Sequence, residues 1–271
     1  MQERRCFARE AMAALFQITV AEPDPVYAGQ AAAAALDQLE RIESRLSRFV
    51  ETSDVFRINR LAPGETTTVH PDTFECLRIA LQVQAATGRA FDVAYASAAR
   101  PDEGPPIELI EPGCAVRVLA DGVQLDLGAI GKGFALDRMA ALLAEWDIRA
   151  ALLSASTSSL LALAPPPGEP GWAIHVGPDR APRRLWLANR AIGASGTAVR
   201  GAHIIDPRTG RPAEGKFRTW ALAATAAEAD ALSTAFMVMA DDEVADYCRL
   251  HPGIEAYLLK TPAGELLTMA S

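Results

Sequence analysis

The stretch VQLDLGAIGKGFALDRMAALL, residues 123–143, changes from alternating apolar residues to the apolar spacing of a helix. Glycines, an aspartate and a lysine stand where the two patterns meet. This order predicts a strand, a glycine-rich turn and a helix that extends to about Trp146. Backbone N–H groups at a helix start carry partial positive charge, and Lys132 adds a full one, so the turn suits an anion such as phosphate.

The same turn also has a purely structural interpretation. Gly128, Gly131 and Gly133 could serve only close packing of the backbone. The spacing GxxGKG, followed by Phe134, matches neither a Walker A loop nor the dinucleotide-binding GxGxxG pattern. The turn alone therefore does not decide between binding and packing.

Composition excludes several classes of protein. The chain has 271 residues and a formal net charge of -8, which argues against nucleic acid as a partner. No apolar run approaches the roughly 20 residues that span a bilayer. The charged N-terminus lacks the apolar stretch of a signal peptide, which predicts a cytoplasmic protein, with a periplasmic location open if an export signal has been removed. The four dispersed cysteines predict free thiols.

Apolar periodicity and turn residues predict the order of the elements. Helices are expected at 25–48, after Ser53, at 71–87, 227–239 and 241–250. Strands are expected at 12–20, 107–110, 115–120, 123–127, 151–156, 171–176, 183–189, 216–225 and twice after 250. The strands 115–120 and 123–127 would be joined by a hairpin at Asp121-Gly122. This mixed order predicts an α+β fold.

A second group of polar residues lies in EADALSTAF, residues 228–236. Asp230 and Thr234 are four residues apart on a predicted helix and therefore share a face. A carboxylate and a hydroxyl on one face can bind a hard cation such as Mg²⁺. The alternative, which spacing alone favours, is that Asp230 only interacts with the dipole at the start of the helix.

A third group lies in GAHIIDPRTGRP, residues 201–212. Its Asp-Pro-Arg-Thr-Gly run is a strong turn signal. His203 precedes the turn and would have a chemical role only if the turn folds back on the anion site.

The order of the segments LSRFVETSDVFRINR, ATGRAFDV, LDLGAIGKGFALD, GASG, HIIDPRTGRP and ADALSTAF resembles the ApbE family of FAD:protein FMN transferases. The resemblance extends from about residue 10 to residue 260. It implies a T-fold-like α+β architecture, in which mixed or antiparallel sheets pack with helices in two closely fused lobes. It also implies a single domain over 10–265.

The family resemblance implies a reaction and its participants. Members bind FAD and Mg²⁺, cleave the pyrophosphate, attach FMN to a threonine hydroxyl of an acceptor protein and release AMP. The implied Mg²⁺ ligands are the backbone carbonyl of Ala129 and the side chains of Asp230 and Thr234.

The resemblance also assigns roles to further residues. Lys132 would be a point-charge partner for phosphate or flavin, and His203 would transfer the proton of the incoming hydroxyl. Asp126 would hold Lys132 or the turn. The remaining positions implied at the flavin are Met12, Asp92, Gly128, Ser195 and Gly196.

Three segments depart from the family pattern. Met-Gly-Thr is replaced by Met12-Ala13-Ala14, Asn-x-Gly-Gly-Asp by the run from Ser154 to Ser158, and Phe-Asp-Pro-Thr by FDVA at 91–94. Three functions therefore stay open: a transferase with an altered pocket, a non-catalytic flavin-binding relative, and an FAD pyrophosphatase that gives FMN and AMP. The acceptor and the choice between monomer and dimer are open as well.

Overall fold

An antiparallel sheet of eight strands organises the computed structural model, which describes residues 4–98, 104–197 and 204–270. Its strand order is β1-β2-β6-β7-β10-β13-β14-β15. These strands are β1 (Arg5–Ala11), β2 (Ala14–Val20), β6 (Ala151–Ala155), β7 (Ser159–Ala162), β10 (Arg190–Gly196), β13 (Arg218–Ala223), β14 (Glu255–Leu259) and β15 (Leu266–Met269).

Three small sheets complete the β-structure of these residues. They comprise β3 (Thr66–Thr68) with β5 (Ala115–Val118) and β4 (Ile107–Ile110), β8 (Trp172–Val176) with β9 (Arg183–Leu187), and β11 (Ile205–Asp206) with β12 (Arg211–Pro212). The strand pairs within the described ranges are all antiparallel, for example β4 with β5 and β8 with β9.

The helices are α1 (Pro25–Leu46), α2 (Asp54–Ile58), α3 (Pro71–Ala86), α4 (Gly131–Glu145), α5 (Ala226–Val238) and α6 (Asp241–Leu250). Helix α5 packs on β10 and β13, and α4 packs on both α1 and α5. The larger apolar core lies between these helices and the sheet, and a smaller core includes β8, β9 and Trp220. None of the helices in the described ranges combines the length and apolar character needed to cross a bilayer.

The α+β prediction is confirmed, and so are the main helices. Ser53 caps α2 by accepting a hydrogen bond from the Phe56 N–H, and Pro71 begins α3. Helix α4 ends one residue before Trp146. The four cysteines are free.

The prediction of a strand at 123–127 is wrong, and so is the predicted hairpin at Asp121-Gly122. The segment forms no strand. Instead, the side-chain amide of Asn59 binds the Leu125 N–H and C=O at 2.7 and 3.0 Å. The hairpin of this region joins β4 to β5 through residues 111–114. A side chain therefore provides the hydrogen bonds that a neighbouring strand would supply.

Three strands of the main sheet are absent from the prediction. Strand β1 lies in the charged N-terminal segment and pairs with β2 through a two-residue turn. Strands β7 and β10 pair with each other inside the sheet. Strand β1 alternates between exposed and partly buried residues, which is the pattern of a solvated edge strand.

The turn between β1 and β2 contains an unfavourable backbone conformation. Met12 and Ala13 have φ angles of 51° and 55°, a region that glycine adopts at little cost. We expect Ala13→Gly to raise the free energy of unfolding by about 1 kcal/mol because it removes this strain. Urea unfolding measures the change. The control Ala14→Gly, in strand β2, should lower stability, and an Ala13→Gly protein no more stable than wild type would contradict the expectation.

Candidate active site

The glycine-rich turn is held by Asp126. Its carboxylate accepts a hydrogen bond from the Gly128 N–H at 2.9 Å and lies 3.5 Å from Nε of Arg48. Nζ of Lys132 lies 3.4 Å from the Gly128 carbonyl oxygen. Of the two partners predicted for Asp126, the structure therefore shows contact with the turn. Lys132 contacts the same turn through the Gly128 carbonyl oxygen.

The anion at the start of α4 is the side chain of Asp230. The Gly133 N–H donates to Oδ2 of this carboxylate at 2.7 Å, and the Ser159 hydroxyl bonds to it as well. Only 4% of Asp230 is exposed. The favourable position that the sequence analysis assigned to a bound phosphate is therefore occupied in part by a carboxylate from α5.

This contact changes the hydrogen bonding of Ala129. In a regular helix the Gly133 N–H would bond to the carbonyl of Ala129, four residues earlier. Here it turns to Asp230, and α4 begins only at Gly131. In the part of the chain that the structure describes, no hydrogen bond uses the Ala129 carbonyl oxygen. That oxygen is available as a ligand beside the carboxylate.

Hydroxyl groups surround Thr234, which is half-buried. Its Oγ1 lies 2.9 Å from Oγ of Ser195 and 3.4 Å from the Asp230 carbonyl oxygen. Oγ of Ser195 is also 2.9 Å from Oγ of Ser233. Strand β10, which packs on α5, therefore brings the predicted residues Ser195 and Thr234 together in the middle of that helix. At the neighbouring Gly196, a Cβ would come within 2.8 Å of the Phe217 carbonyl oxygen.

Two glycines allow α5 to reach this position. A Cβ on Gly133 would lie 2.0 Å from the Ala226 carbonyl oxygen, and one on Gly193 would lie 2.3 Å from that of Ala229. Both contacts are with backbone atoms, which cannot rotate away. The packing interpretation is therefore correct for Gly133, and it is this packing that brings Asp230 to the start of α4.

Met12 and Asp92 lie at the edge of the turn. A Cβ built on Gly131 would be 3.2 Å from Cε of Met12. The Asp126 N–H donates to the carbonyl oxygen of Val93, next to Asp92. The Asp92 carboxylate accepts from the Ala94 N–H at 2.8 Å. His203 lies outside the described residues, so its predicted role remains a prediction.

A cavity beside Arg48, which pairs with Asp126, is lined by none of the site residues predicted from the sequence. The cavity has a volume of about 460 Å³ and is lined by Arg48, Phe49, Phe56, Asn59, Arg60 and Gln124. The guanidinium of Arg48 lies 4.7 Å from the ring centre of Phe49. The guanidinium of Arg60 lies 4.6 Å from the ring centre of Phe56. Aromatic rings beside cations suit a ligand with both a ring and a phosphate. Most of the lining residues lie in segment 46–60, one of the segments on which the family resemblance rests. Its closely spaced arginines and phenylalanines were the sequence signal for this cavity.

A second cavity, of about 650 Å³, includes Pro71, Arg78, Glu111 and Cys114 in its lining. None of the predicted site residues lines it. It therefore has no part in the site described above.

The environment of Asp230 perturbs its acidity. Burial raises the pKa of its carboxyl group to about 6, although the positive charge of Lys132 and the hydrogen bonds to Asp230 act in the opposite direction. A buried carboxylate is stabilised by a nearby cation, which offsets the loss of hydration. A cation bound beside Asp230 would therefore stabilise the charged form of its carboxyl group.

The oxygen atoms near Asp230 fit a hard cation. No three His, Cys, Asp or Glu side chains converge in the described ranges, so a soft or zinc-type site is not formed by them. The donors that the sequence predicts are one carboxylate, one hydroxyl and one peptide carbonyl, from Asp230, Thr234 and Ala129. Mg²⁺ prefers oxygen ligands and commonly keeps several waters, so a small protein donor set suits it.

The raised pKa has a consequence for stability. The folded state holds the Asp230 proton more tightly than the unfolded chain, so the contribution of this group is fully present below pH 3.8 and is lost as pH rises through about 6. Without divalent metal at pH 8, we expect the free energy of unfolding of Asp230→Asn to exceed that of wild type by up to about 3 kcal/mol. Urea unfolding measures the difference. The advantage should vanish near pH 4. A variant no more stable than wild type at pH 8 in a chelator would contradict this expectation.

Fold and site together define an α+β protein in which a lysine-bearing helix start faces a buried carboxylate and a cluster of hydroxyl groups. The sequence model of the ApbE family matches residues 12–258. The chain therefore belongs to the ApbE family, as the order of its segments predicted.

Individual relatives agree with this assignment. A Rhodobacter capsulatus protein named FAD:protein FMN transferase is 31% identical over 175 residues, covering 59% of this chain and 32% of that protein. This chain thus spans about a third of that relative. A Buchnera aphidicola protein of the same name is 22% identical over 240 residues, covering 74% of this chain and 71% of the other.

Solved structures support the fold. The flavin transferase ApbE of Vibrio cholerae superposes with a TM-score of 0.84 at 21% identity, covering 99% of this chain and 97% of the other. The ApbE protein of Thermotoga maritima gives a TM-score of 0.81 at 26% identity, covering 98% and 96%. The ApbE architecture expected from the sequence is therefore confirmed.

Proposed function

We propose that this chain is a Mg²⁺-dependent FAD:protein FMN transferase, with one domain over residues 10–265. It would move FMN from FAD to a threonine hydroxyl of an acceptor protein and release AMP. The observation that carries the proposal is the buried Asp230 carboxylate, which contacts the first turn of α4. Ala129 precedes this turn, and its carbonyl oxygen accepts no hydrogen bond within the described ranges. The names of the relatives support the same activity.

The metal would be held by Ala129, Asp230 and Thr234. Ser195 orients the Thr234 hydroxyl through a contact of 2.9 Å. When bound, Mg²⁺ would neutralise negative charge on the pyrophosphate. Because the Gly133 N–H is engaged by Asp230, the positive charge that this chain itself offers to phosphate is chiefly that of Lys132.

FAD would lie along the glycine-rich turn. The cavity at Phe49 and Phe56 offers aromatic faces and arginine charges to one end of the dinucleotide. Met12, Asp92, Asp126, Gly128, Ser195 and Gly196 complete the proposed binding residues. Lys132 would lie between the cavity and Asp230, next to the pyrophosphate.

The proposed transfer breaks one bond and forms another. The threonine oxygen of the acceptor attacks the phosphorus of the FMN half, and the bond from this phosphorus to the bridging oxygen breaks. AMP leaves with the bridging oxygen, and the hydroxyl proton passes to a base, for which we propose His203. Lys132 would hold the phosphate oxygens in line for the attack.

The lost family glycines do not argue against activity. Ala13 and Ser156 both hold positive φ angles, 55° and 51°, that a glycine would adopt at little cost. Oγ of Ser156 also accepts from the Leu15 N–H at 3.2 Å. The chain therefore keeps these two turns with other residues, which supports a working site over a degraded one.

One experiment separates the three functions. The purified protein is incubated with FAD and Mg²⁺, with and without a threonine-containing acceptor fragment. AMP is quantified, and flavin fluorescence is followed on a denaturing gel. AMP together with a fluorescent acceptor is the expected result. AMP without labelling would indicate a pyrophosphatase, and tight FAD binding without AMP would indicate a binding protein.

A further inference from the structure

Helix α4 carries a carboxylate that the sequence analysis did not assign, at Asp137. Oδ1 of this half-buried residue accepts from the Ala226 N–H, and Oδ2 accepts from the Ala227 N–H, both at 2.8 Å. These are the first two residues of α5. One carboxylate on α4 thus binds two N–H groups that the start of α5 cannot satisfy internally.

The contact is reciprocal. Asp230 of helix α5 accepts a hydrogen bond from the Gly133 N–H, in the first turn of α4. Each helix therefore has N-terminal N–H groups bound by a carboxylate of the other. Thr225 separately caps α5 by accepting from the Glu228 N–H. The contribution of Asp137 is thus to join α5 to α4, and the conventional cap of α5 is made by Thr225.

We propose that Asp137 is a positioning residue for the metal site, an inference that rests on the proposed function. Asp230 and Thr234 lie on α5, whereas Ala129 precedes α4. The distance between these ligands is set by how closely the two helices approach. Mg²⁺ demands oxygen distances of about 2.0–2.1 Å, so a small separation of the helices would disrupt the donor set.

The packing leaves little freedom for compensation. Gly133 lies so close to Ala226 that a Cβ would be 2.0 Å from its carbonyl oxygen. Asp137 binds the N–H of that same residue. Gly133 and Asp137 are one helical turn apart on α4, so the two contacts together hold the first turn of α5 against α4, four residues before Asp230. Loss of the carboxylate releases this end of α5 while leaving every metal ligand in the chain.

The test compares Asp137→Asn with Thr225→Ala. An asparagine can accept at only one position and sets its NH₂ against the second N–H, so the helix junction is weakened. Calorimetric titration with Mg²⁺ should show at least about tenfold weaker binding for Asp137→Asn, typical for the loss of a residue that orients metal ligands. Half-saturating Mg²⁺ for AMP release should rise in parallel. Thr225→Ala removes a cap within α5 and should lower the melting temperature with Mg²⁺ binding unchanged.

A second variant tests the idea if Asp137→Asn does not fold. Asp137→Glu keeps the charge and both acceptor oxygens but adds one methylene, so it should fold and still bind Mg²⁺ more weakly than wild type. Wild-type Mg²⁺ affinity in either folded variant, or an equal loss in Thr225→Ala, would overturn the positioning role alone. A wild-type protein that neither binds Mg²⁺ nor releases AMP would overturn the proposed function with it.

Discussion

Asparagine in place of Asp230 is expected to lower AMP release from FAD by about 10³-fold, because a divalent ion contributes several kcal/mol of charge stabilisation in such reactions. The substitution keeps the size of the side chain and an oxygen that can accept from the Gly133 N–H. It removes the negative charge that would bind the cation. Initial rates of AMP formation at saturating FAD, over a series of Mg²⁺ concentrations, measure the effect.

The control for this prediction is Asp246→Asn. Asp246 lies on α6, and its side chain is 67% exposed beside Arg249, so its charge has no part in the site. This variant should retain the wild-type rate. Asp230→Asn combines lost activity with higher metal-free stability at pH 8, and a misfolded protein could not give that combination. A variant that keeps its Mg²⁺-dependent rate would refute the metal assignment of Asp230.

The parts of the fold that follow local rules could be predicted from the sequence. Ser53 and Pro71 begin helices because their side chains suit the first turn. Asp230 and Thr234 were placed on one face by helical spacing alone. Such features depend on residues within a few positions of each other, so they can be predicted from the local sequence.

The parts that depend on distant partners could not be predicted. The segment 123–127 has the alternation of a strand, but its hydrogen bonds go to Asn59, some 66 residues away. Arg48 pairs with Asp126 across a similar separation. Composition and periodicity carry no information on such pairs, so the contact between the Asp230 carboxylate of α5 and the Gly133 N–H could not be predicted.

The same limit explains why Asp137 was overlooked. On α4 it has the appearance of an ordinary helical carboxylate, and its two partners lie 89 and 90 positions along the chain. Burial raises its pKa to about 6 even though both partners favour the charged form. Only the approach of α5 to α4 gives this residue a role, and that approach is permitted by Gly133.

Alanine at Gly133 is therefore expected to cause the largest loss of stability among single substitutions near the site, about 3 kcal/mol or more. Its Cβ would meet the Ala226 carbonyl oxygen at 2.0 Å, and the helices must separate to relieve the clash. The matched control is Gly29→Ala in α1, where the nearest atom is 3.8 Å away and the loss of glycine flexibility should stabilise the helix. Urea unfolding compares the two, with Mg²⁺ titration on whichever protein folds. A Gly133→Ala protein with wild-type stability and Mg²⁺ affinity would show that the close approach of α4 and α5 is not required.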